Sequence, residues 1–275
     1  MTLPFAKAYS HATFTQRPSA SSQLLCVHRG HALRECRDHE KALEAARLTA
    51  HFLGESRLSG FLTVRTQQVI GHGLGSSTTD VVATIRAVAQ WFGVTLGRDS
   101  IARIAVRAEC ASDPLMYSTR TPLLFAHHDG HVLERFAKPL PRFIVVGARD
   151  ASVAPVVTQL RTPPQYTRSE LRQFNHLLQQ LRLALTTNNV ALLGRVSTIS
   201  ARINQRYFPN EIVSTFERLA VQYNAAGIQI AHSGNVCGAI FTKTTNGRRN
   251  ALRLAQASRT LGLTTYTFCS QLGTH

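Results

Sequence analysis

The chain has 275 residues, 44% of them hydrophobic and 7% aromatic, enough for about two domains with packed cores, which excludes a disordered polyelectrolyte. Its 31 basic residues against 15 acidic ones leave a net charge of +16, yet 27 of the 31 are arginines spread along the chain, with no block of like charge and no basic run interleaved with aromatics, so a nucleic-acid interface is not expected. No apolar run approaches the ~18 residues of a membrane span, Met1 to Ser10 lacks a signal-peptide core, and the five scattered cysteines (Cys26, Cys36, Cys110, Cys237 and Cys269) read as reduced thiols of a cytoplasmic protein.

In chain order, Met1 to Cys26 is mixed, with a strand signal at Leu24 to Val27. Ala42, Leu43, Ala46, Ala50 and Leu53 recur at helical spacing between His39 and Leu53. Gly60 to Thr66 reads as a strand, Gly71 to Thr79 as a glycine- and serine-rich turn, and Asp80 to Phe92 as an amphipathic helix stopped by Gly93. Ile101 to Cys110 predicts another helix, and Leu123 to Ala126 with His131 to Leu133 a hairpin around His128-Asp129-Gly130. Pro139-Leu140-Pro141 is the best linker, which divides the chain into residues 1–138 and 139–275. Beyond it, Arg142 to Gly147 reads as a buried strand, and Ser169 to Thr186, Val190 to Asn204 and Glu211 to Ala225 as helices. Strands at Gly227 to Ala231 and Cys237 to Thr242 flank the turn His232-Ser233-Gly234, before a helix at Asn250 to Leu261 and a strand at Thr264 to Phe268. Interleaved strands and helices in both halves make the class mixed α and β, in two domains.

The most informative stretch is Gly71-His72-Gly73-Leu74-Gly75-Ser76-Ser77-Thr78-Thr79-Asp80, set between a predicted strand and a predicted helix. Glycines let the backbone approach a ligand closely, a helix start presents free N–H groups and a partial positive charge, and together they form an anion site. Ser76, Ser77 and Thr78 add hydroxyls able to hold a phosphate oxygen or a metal. Serine, threonine and glycine are also ordinary cap residues, but three glycines and four hydroxyls in one turn exceed what capping needs. The Gly-Lys-[Ser/Thr] ending of a Walker A loop is missing, as is the third glycine of a dinucleotide fingerprint.

What the stretch resembles is the ATP loop of the GHMP kinases, Pro-x-Gly-x-Gly-Leu-Gly-Ser-Ser-Ala, here without the proline and with Thr78 in place of the alanine. Ser76-Ser77-Thr78-Thr79-Asp80 is similar to the variant found in the L-threonine kinases of cobalamin side-chain assembly. A second stretch, Gly227 to Gly238, looks like the Ala-His-Ser-Gly-Ser-x-x-Gly turn of that same branch, with Asn235 in place of its second serine. The resemblance implies an α+β fold of two domains, the first like the second domain of ribosomal protein S5 and the second ferredoxin-like. It implies ATP and Mg²⁺ in the cleft between them, and a small hydroxylated acceptor, L-threonine if the nearest branch is the right one. On this reading Gly71, Gly73, Leu74, Gly75, Ser76, Ser77 and Thr78 wrap the phosphates, and Ser233, Gly234 and Asn235 close the site from the second domain.

Phosphoryl transfer needs a cation that prefers oxygen ligands and keeps several waters. The natural protein pair for Mg²⁺ is Glu109 with Ser77, and the resemblance makes Asp113 the candidate for a second carboxylate that accepts the proton of the acceptor hydroxyl. Glu109-Cys110-Ala111-Ser112-Asp113 resembles the Glu-Pro-Thr-Asp stretch of the family at this position. Asp113 could instead cap the segment before Pro114, Glu109 could be a solvated helix-end charge, and Asp80 suits the helix dipole as well as it suits catalysis. His72 and His232 flank the two loops. The family's Pro-Gly-x-x-Gly-Glu stretch near the amino terminus is missing, and Met1-Thr2-Leu3-Pro4 resembles what normally follows it, so the chain looks as if it starts late and leaves a sheet edge unpaired. A kinase of another small alcohol such as homoserine, and a nucleotide-binding pseudokinase, are the alternatives.

Overall fold

The computed structural model describes residues 2–3, 9–17, 24–27, 40–66, 76–117, 121–153, 162, 164–231 and 235–270. The first half opens with β1 (Ser10–Gln16), β2 (Leu24–Val27), α1 (Glu40–Phe52) and β3 (Gly60–Thr66). β3 is the middle strand, with β1 antiparallel on one side in unbroken register from Ser10↔Thr66 to Gln16↔Gly60, and β2 parallel on the other. A parallel pair needs a crossover, and α1 supplies it. Gly60 opens β3 at φ +144°, where an added Cβ would lie 2.2 Å from the Thr15 carbonyl oxygen, so only glycine fits against β1.

The sheet buries one face. Phe14, Leu24, Leu62 and Val64 pack on Ala42, Ala46 and Ala50 of α1 and on Val88 of α2 (Ser76–Trp91). The alanines keep the α1 surface thin, and Ala45 carries it into a second cluster with Val81, Val82 and Ile85 of α2 and Ile101, Ile104 and Ala105 of α3 (Arg98–Glu109). Met116 and Tyr117, in a short 3-10 turn at Leu115–Tyr117, complete that cluster, and the Tyr117 hydroxyl donates to Asp99 Oδ1 at 2.6 Å. A hairpin of β4 (Leu123–Ala126) and β5 (His131–Arg135) lies over α3.

The second half comprises β6 (Phe143–Arg149), α4 (Arg168–Thr186), α5 (Val190–Gln205), α6 (Ile212–Gln222), β7 (Gly227–Ile230), β8 (Cys237–Thr242), α7 (Thr245–Thr260) and β9 (Thr264–Cys269). Its sheet order is β7-β8-β6-β9, all pairs antiparallel. With α4 to α6 counted as one helical crossover, this is the β-α-β-β-α-β connectivity of a ferredoxin-like unit. β6 is buried on both faces, which explains its unbroken apolar run. Ile144, Val146 and Ala148 face Phe216 of α6 and Leu254 of α7, while Phe143 and Val145 face Ala184 of α4 and Leu193 of α5. α4 starts with a full capping box, Thr167 and Glu170 each bonding the other's backbone N–H. The two halves are tied by a two-pronged pair, Arg182 of α4 on Glu134 of β5 at 2.7–3.3 Å. No helix among the described residues is long and apolar enough to cross a membrane.

Three expectations shift in the structure. β1 is a full strand although its sequence, Ser-His-Ala-Thr-Phe-Thr-Gln, alternates weakly: only Phe14 is fully buried, and the pairing with β3 organises it. α7 begins at Thr245, not Asn250, because Thr244 caps it by accepting the Gly247 N–H. α2 begins at Ser76, not Asp80, so Ser77 and Thr78 are residues of the helix rather than of the loop before it.

Candidate active site

The strand β3 ends at Thr66 and α2 starts at Ser76, so a strand precedes the glycine-rich stretch and a helix takes up its last residues. Gly71, Gly73, Leu74 and Gly75 lie outside the described residues, as do His72, the side chain of Ser76, and His232, Ser233 and Gly234 of the second turn. What the structure describes is the floor of the site. The first turn of α2 points its hydroxyls at the last turn of α3, which packs alongside it.

Glu109 closes α3 and is buried, with 3% of its surface exposed. Ser77 Oγ donates to its Oε2 and Thr78 Oγ1 to its Oε1, both at 2.8 Å. Ser112 adds a third side-chain hydrogen bond, and the charge of Lys41 on α1 also favours the carboxylate. Burial outweighs these contacts and pushes the Glu109 pKa above its ordinary value. A buried acid held by two hydroxyls at a helix start and by a third from Ser112 is poised for a cation. The positive end of the α2 dipole meets it, while the end of its own helix α3 opposes its charge.

Just after Glu109 the chain turns sharply. Cys110 takes a left-handed conformation, φ 64°, and so ends the helix. The reversal brings Ser112 and Asp113 back over the start of α2, where the Asp113 N–H lies 3.4 Å from Thr78 Oγ1. The Ser112 N–H donates to the His127 carbonyl at 2.9 Å, and His128 Nδ1 sits 2.9 Å from the Cys110 carbonyl, so the β4–β5 turn walls this side. Burial, then the neighbouring His128, lower the His127 pKa, against the opposing charges of Asp113 and Asp129. On its open side Asp113 Oδ1 accepts a 2.7 Å hydrogen bond from the Thr2 hydroxyl.

The structure therefore brings together four of the residues singled out in the sequence: Ser77, Thr78, Glu109 and Asp113. Asp80 is buried one turn into α2. Asn235 is buried at the entry to β8, where its Nδ2 donates to the Val153 carbonyl at 3.4 Å, a contact internal to the second half of the chain. Lys41 and His127 are additions, and Ser112 and Thr2 stand in the sequence only as members of the stretches that carry the resemblance, with no role of their own. The signal for Lys41 is the rarity of lysine, four in the chain.

The donor set fits Mg²⁺. Octahedral Mg²⁺ at 2.0–2.1 Å sets neighbouring ligand oxygens about 2.9 Å apart, and Ser77 Oγ and Glu109 Oε2 are 2.8 Å apart. No group of three or more His, Cys, Asp or Glu able to hold a metal occurs among the described residues. A metal here would take one carboxylate, one hydroxyl, waters and substrate oxygens, the pattern of a metal–nucleotide site rather than a protein cage.

Comparison with known proteins bears on the family and the fold. Residues 40–115, from α1 to the residue that opens the 3-10 turn, match the family model of the GHMP kinases N terminal domain. The L-threonine kinase of Salmonella typhimurium is 24% identical over 208 residues, covering 74% of this chain and 66% of that protein. The L-threonine kinase of Citrobacter freundii is 24% identical over 207 residues, 72% of this chain and 68% of that one. The chain thus matches about two thirds of the length of these relatives. Among solved structures, a homoserine kinase from Cytophaga hutchinsonii superposes with a TM-score of 0.68 at 14% identity, over 95% of this chain and 84% of that one. The mevalonate kinase of L. major superposes at 0.63 and 15% identity, over 94% and 86%. The fold is the α+β fold of these kinases.

Proposed function

We infer from the GHMP kinase N-terminal domain carried by residues 40–115, and from the site beside it, that this chain is an ATP-dependent kinase of a small alcohol. The observation that carries the reading is the pair of 2.8 Å bonds joining the α2 hydroxyls Ser77 and Thr78 to the buried carboxylate Glu109. L-threonine is the acceptor we assign, with O-phospho-L-threonine as product and the aminopropanol linker of cobalamin as its use. The curated relatives support that choice.

Each residue has a role. The start of α2, from Ser76, with Gly71 to Gly75 before it, binds the phosphates through backbone N–H groups. Ser77 and Glu109 hold Mg²⁺, which when bound neutralises charge building up on the phosphate oxygens. Thr78 bonds the other Glu109 oxygen and so fixes the direction of the first. Asp113, facing outward beside Thr78, orients the acceptor hydroxyl and takes its proton. The His127 carbonyl, accepting from the Ser112 N–H, holds the β4–β5 turn against that side. Residues 1–138 are assigned as the nucleotide domain and 139–275 as the closing domain, to whose turn Ser233, Gly234 and Asn235 the family resemblance gives a role in phosphate binding. The thiols of Cys110, Cys237 and Cys269 are free, which suits the reducing cytoplasm.

ADP release from Mg-ATP, measured with L-threonine, L-serine, L-homoserine or no alcohol, tests the assignment. Turnover that depends on threonine is the expected result. Equal rates with homoserine would transfer the assignment to a broader alcohol kinase, and nucleotide binding without turnover to a pseudokinase.

A further inference from the structure

We propose that the Thr2 hydroxyl occupies the acceptor's place and is itself a phosphorylation site of this chain, modified in cis from bound Mg-ATP; the inference rests on the kinase reading above. Thr2 Oγ1 donates to Asp113 Oδ1 at 2.7 Å, across 111 residues of sequence. That is the length of a charge-assisted hydroxyl–carboxylate bond, and it is the contact a general base makes with an alcohol about to react. A threonine side chain presents the same secondary alcohol as free L-threonine.

The placement is held from both sides. Leu3 packs on the cluster of Phe143, Val145, Leu192, Leu193 and Ile240, which anchors the neighbouring Thr2 from the second half of the chain. Asp113 is anchored from the first half, its N–H within 3.4 Å of Thr78 Oγ1, and Thr78 shares Glu109 with Ser77. A continuous series of contacts therefore runs from the Thr2 hydroxyl through Asp113, Thr78 and Glu109 to the metal-holding hydroxyl. Thr2 is exposed and Asp113 half-buried, so a free alcohol can displace the tethered one, and the two compete for one carboxylate.

The step balances as in any alcohol kinase. Asp113 takes the Oγ1 proton as that oxygen bonds to the γ-phosphorus of ATP. The bond from the γ-phosphorus to the β–γ bridging oxygen breaks, and its electron pair leaves with ADP. The products are phosphothreonine at position 2 and ADP, and Asp113 gives its proton to water.

The test is intact-mass and peptide analysis of the purified chain incubated with Mg-ATP and no alcohol. One added phosphoryl group on Thr2 is expected, at a rate independent of protein concentration, absent in Thr2→Val and slowed about 100-fold or more in Asp113→Asn. Saturating free alcohol should suppress it, and Thr2→Val should lower the apparent KM for that alcohol. If the wild type phosphorylates a free alcohol while Thr2 stays unmodified, and Thr2→Val has the wild-type KM, the inference is overturned and the kinase reading stands. Labelling of Thr2 without turnover of any free alcohol would keep the inference and remove the small-molecule assignment. Labelling at another residue, or no transfer of any kind, overturns it.

Discussion

Replacing Glu109 by glutamine should raise stability above the carboxylate range and cut activity together. Glutamine keeps the volume of the side chain, and its amide oxygen still accepts from Thr78. The Ser77 hydroxyl turns to accept from the amide instead, so the local hydrogen bonding survives. What disappears is a buried charge. The folded pKa of Glu109 lies above its unfolded value because burial dominates. A group raised in this way binds its proton more tightly in the folded state. Its contribution is therefore fully present below the unfolded pKa and is lost as pH rises through the folded pKa. Each unit of elevation costs the wild type about 1.4 kcal/mol once the acid is ionised. In a domain of this size that is roughly 2–4 °C of melting temperature per kcal/mol. The variant should thus melt at the wild-type temperature near the ordinary carboxylate pKa and above it at pH 8. Mg-ATP at 100 times its Kd should stabilise the wild type by about 2.7 kcal/mol and the variant by much less, and kcat should fall on the order of 100- to 1,000-fold. Calorimetry across pH, with and without Mg-ATP, reads all of this. A variant that melts below the wild type at pH 8, or that keeps its kcat, would refute the reasoning.

Other outcomes follow from neighbouring contacts. Ser77→Ala and Thr78→Val each leave one buried Glu109 oxygen short of a donor, at about 1–3 kcal/mol in urea unfolding; Ser77→Ala should also weaken the response to Mg²⁺, which Thr78→Val should largely keep. The Tyr207 hydroxyl, then the Thr167 backbone N–H, hold the Glu170 pKa down to about 2. That stabilisation is present above the ordinary carboxylate pKa and is lost as pH falls through about 2, so Glu170→Gln should melt below the wild type at pH 7 and the gap should close in acid. Gly194→Ala adds a good helix former to α5, yet its Cβ would lie 2.2 Å from the Ala226 carbonyl oxygen, so it should destabilise by roughly 1–3 kcal/mol where propensity alone predicts a gain.

Most elements were legible because their patterns are local. Phe143 to Gly147 is apolar on both faces and is the doubly buried strand β6, and Glu109 to Asp113 stands where the site forms. What could not be read arises from partners distant in sequence. β1 is organised by its register with β3, not by its own alternation. The start of α2 moved forward by one turn because Ser76 to Thr79 are weak helix formers alone, and there Ser77 and Thr78 are held by a carboxylate more than 30 residues away. Lys41 and Thr2 reach the site only through the packing of α1 and the anchoring of Leu3. Thr78, expected as a phosphate hydroxyl, bonds Glu109 Oε1 through its Oγ1, a partner its own stretch of sequence does not show.

The most direct test of the central claim is to follow the γ-phosphate itself. Phosphorus NMR of the purified chain with Mg-ATP and L-threonine should show the γ resonance of ATP replaced by a phosphate monoester that coelutes with O-phospho-L-threonine, with wild-type protein and not with Glu109→Gln. Conversion of ATP to ADP and free inorganic phosphate alone, or the monoester formed equally well by Glu109→Gln, would contradict the account.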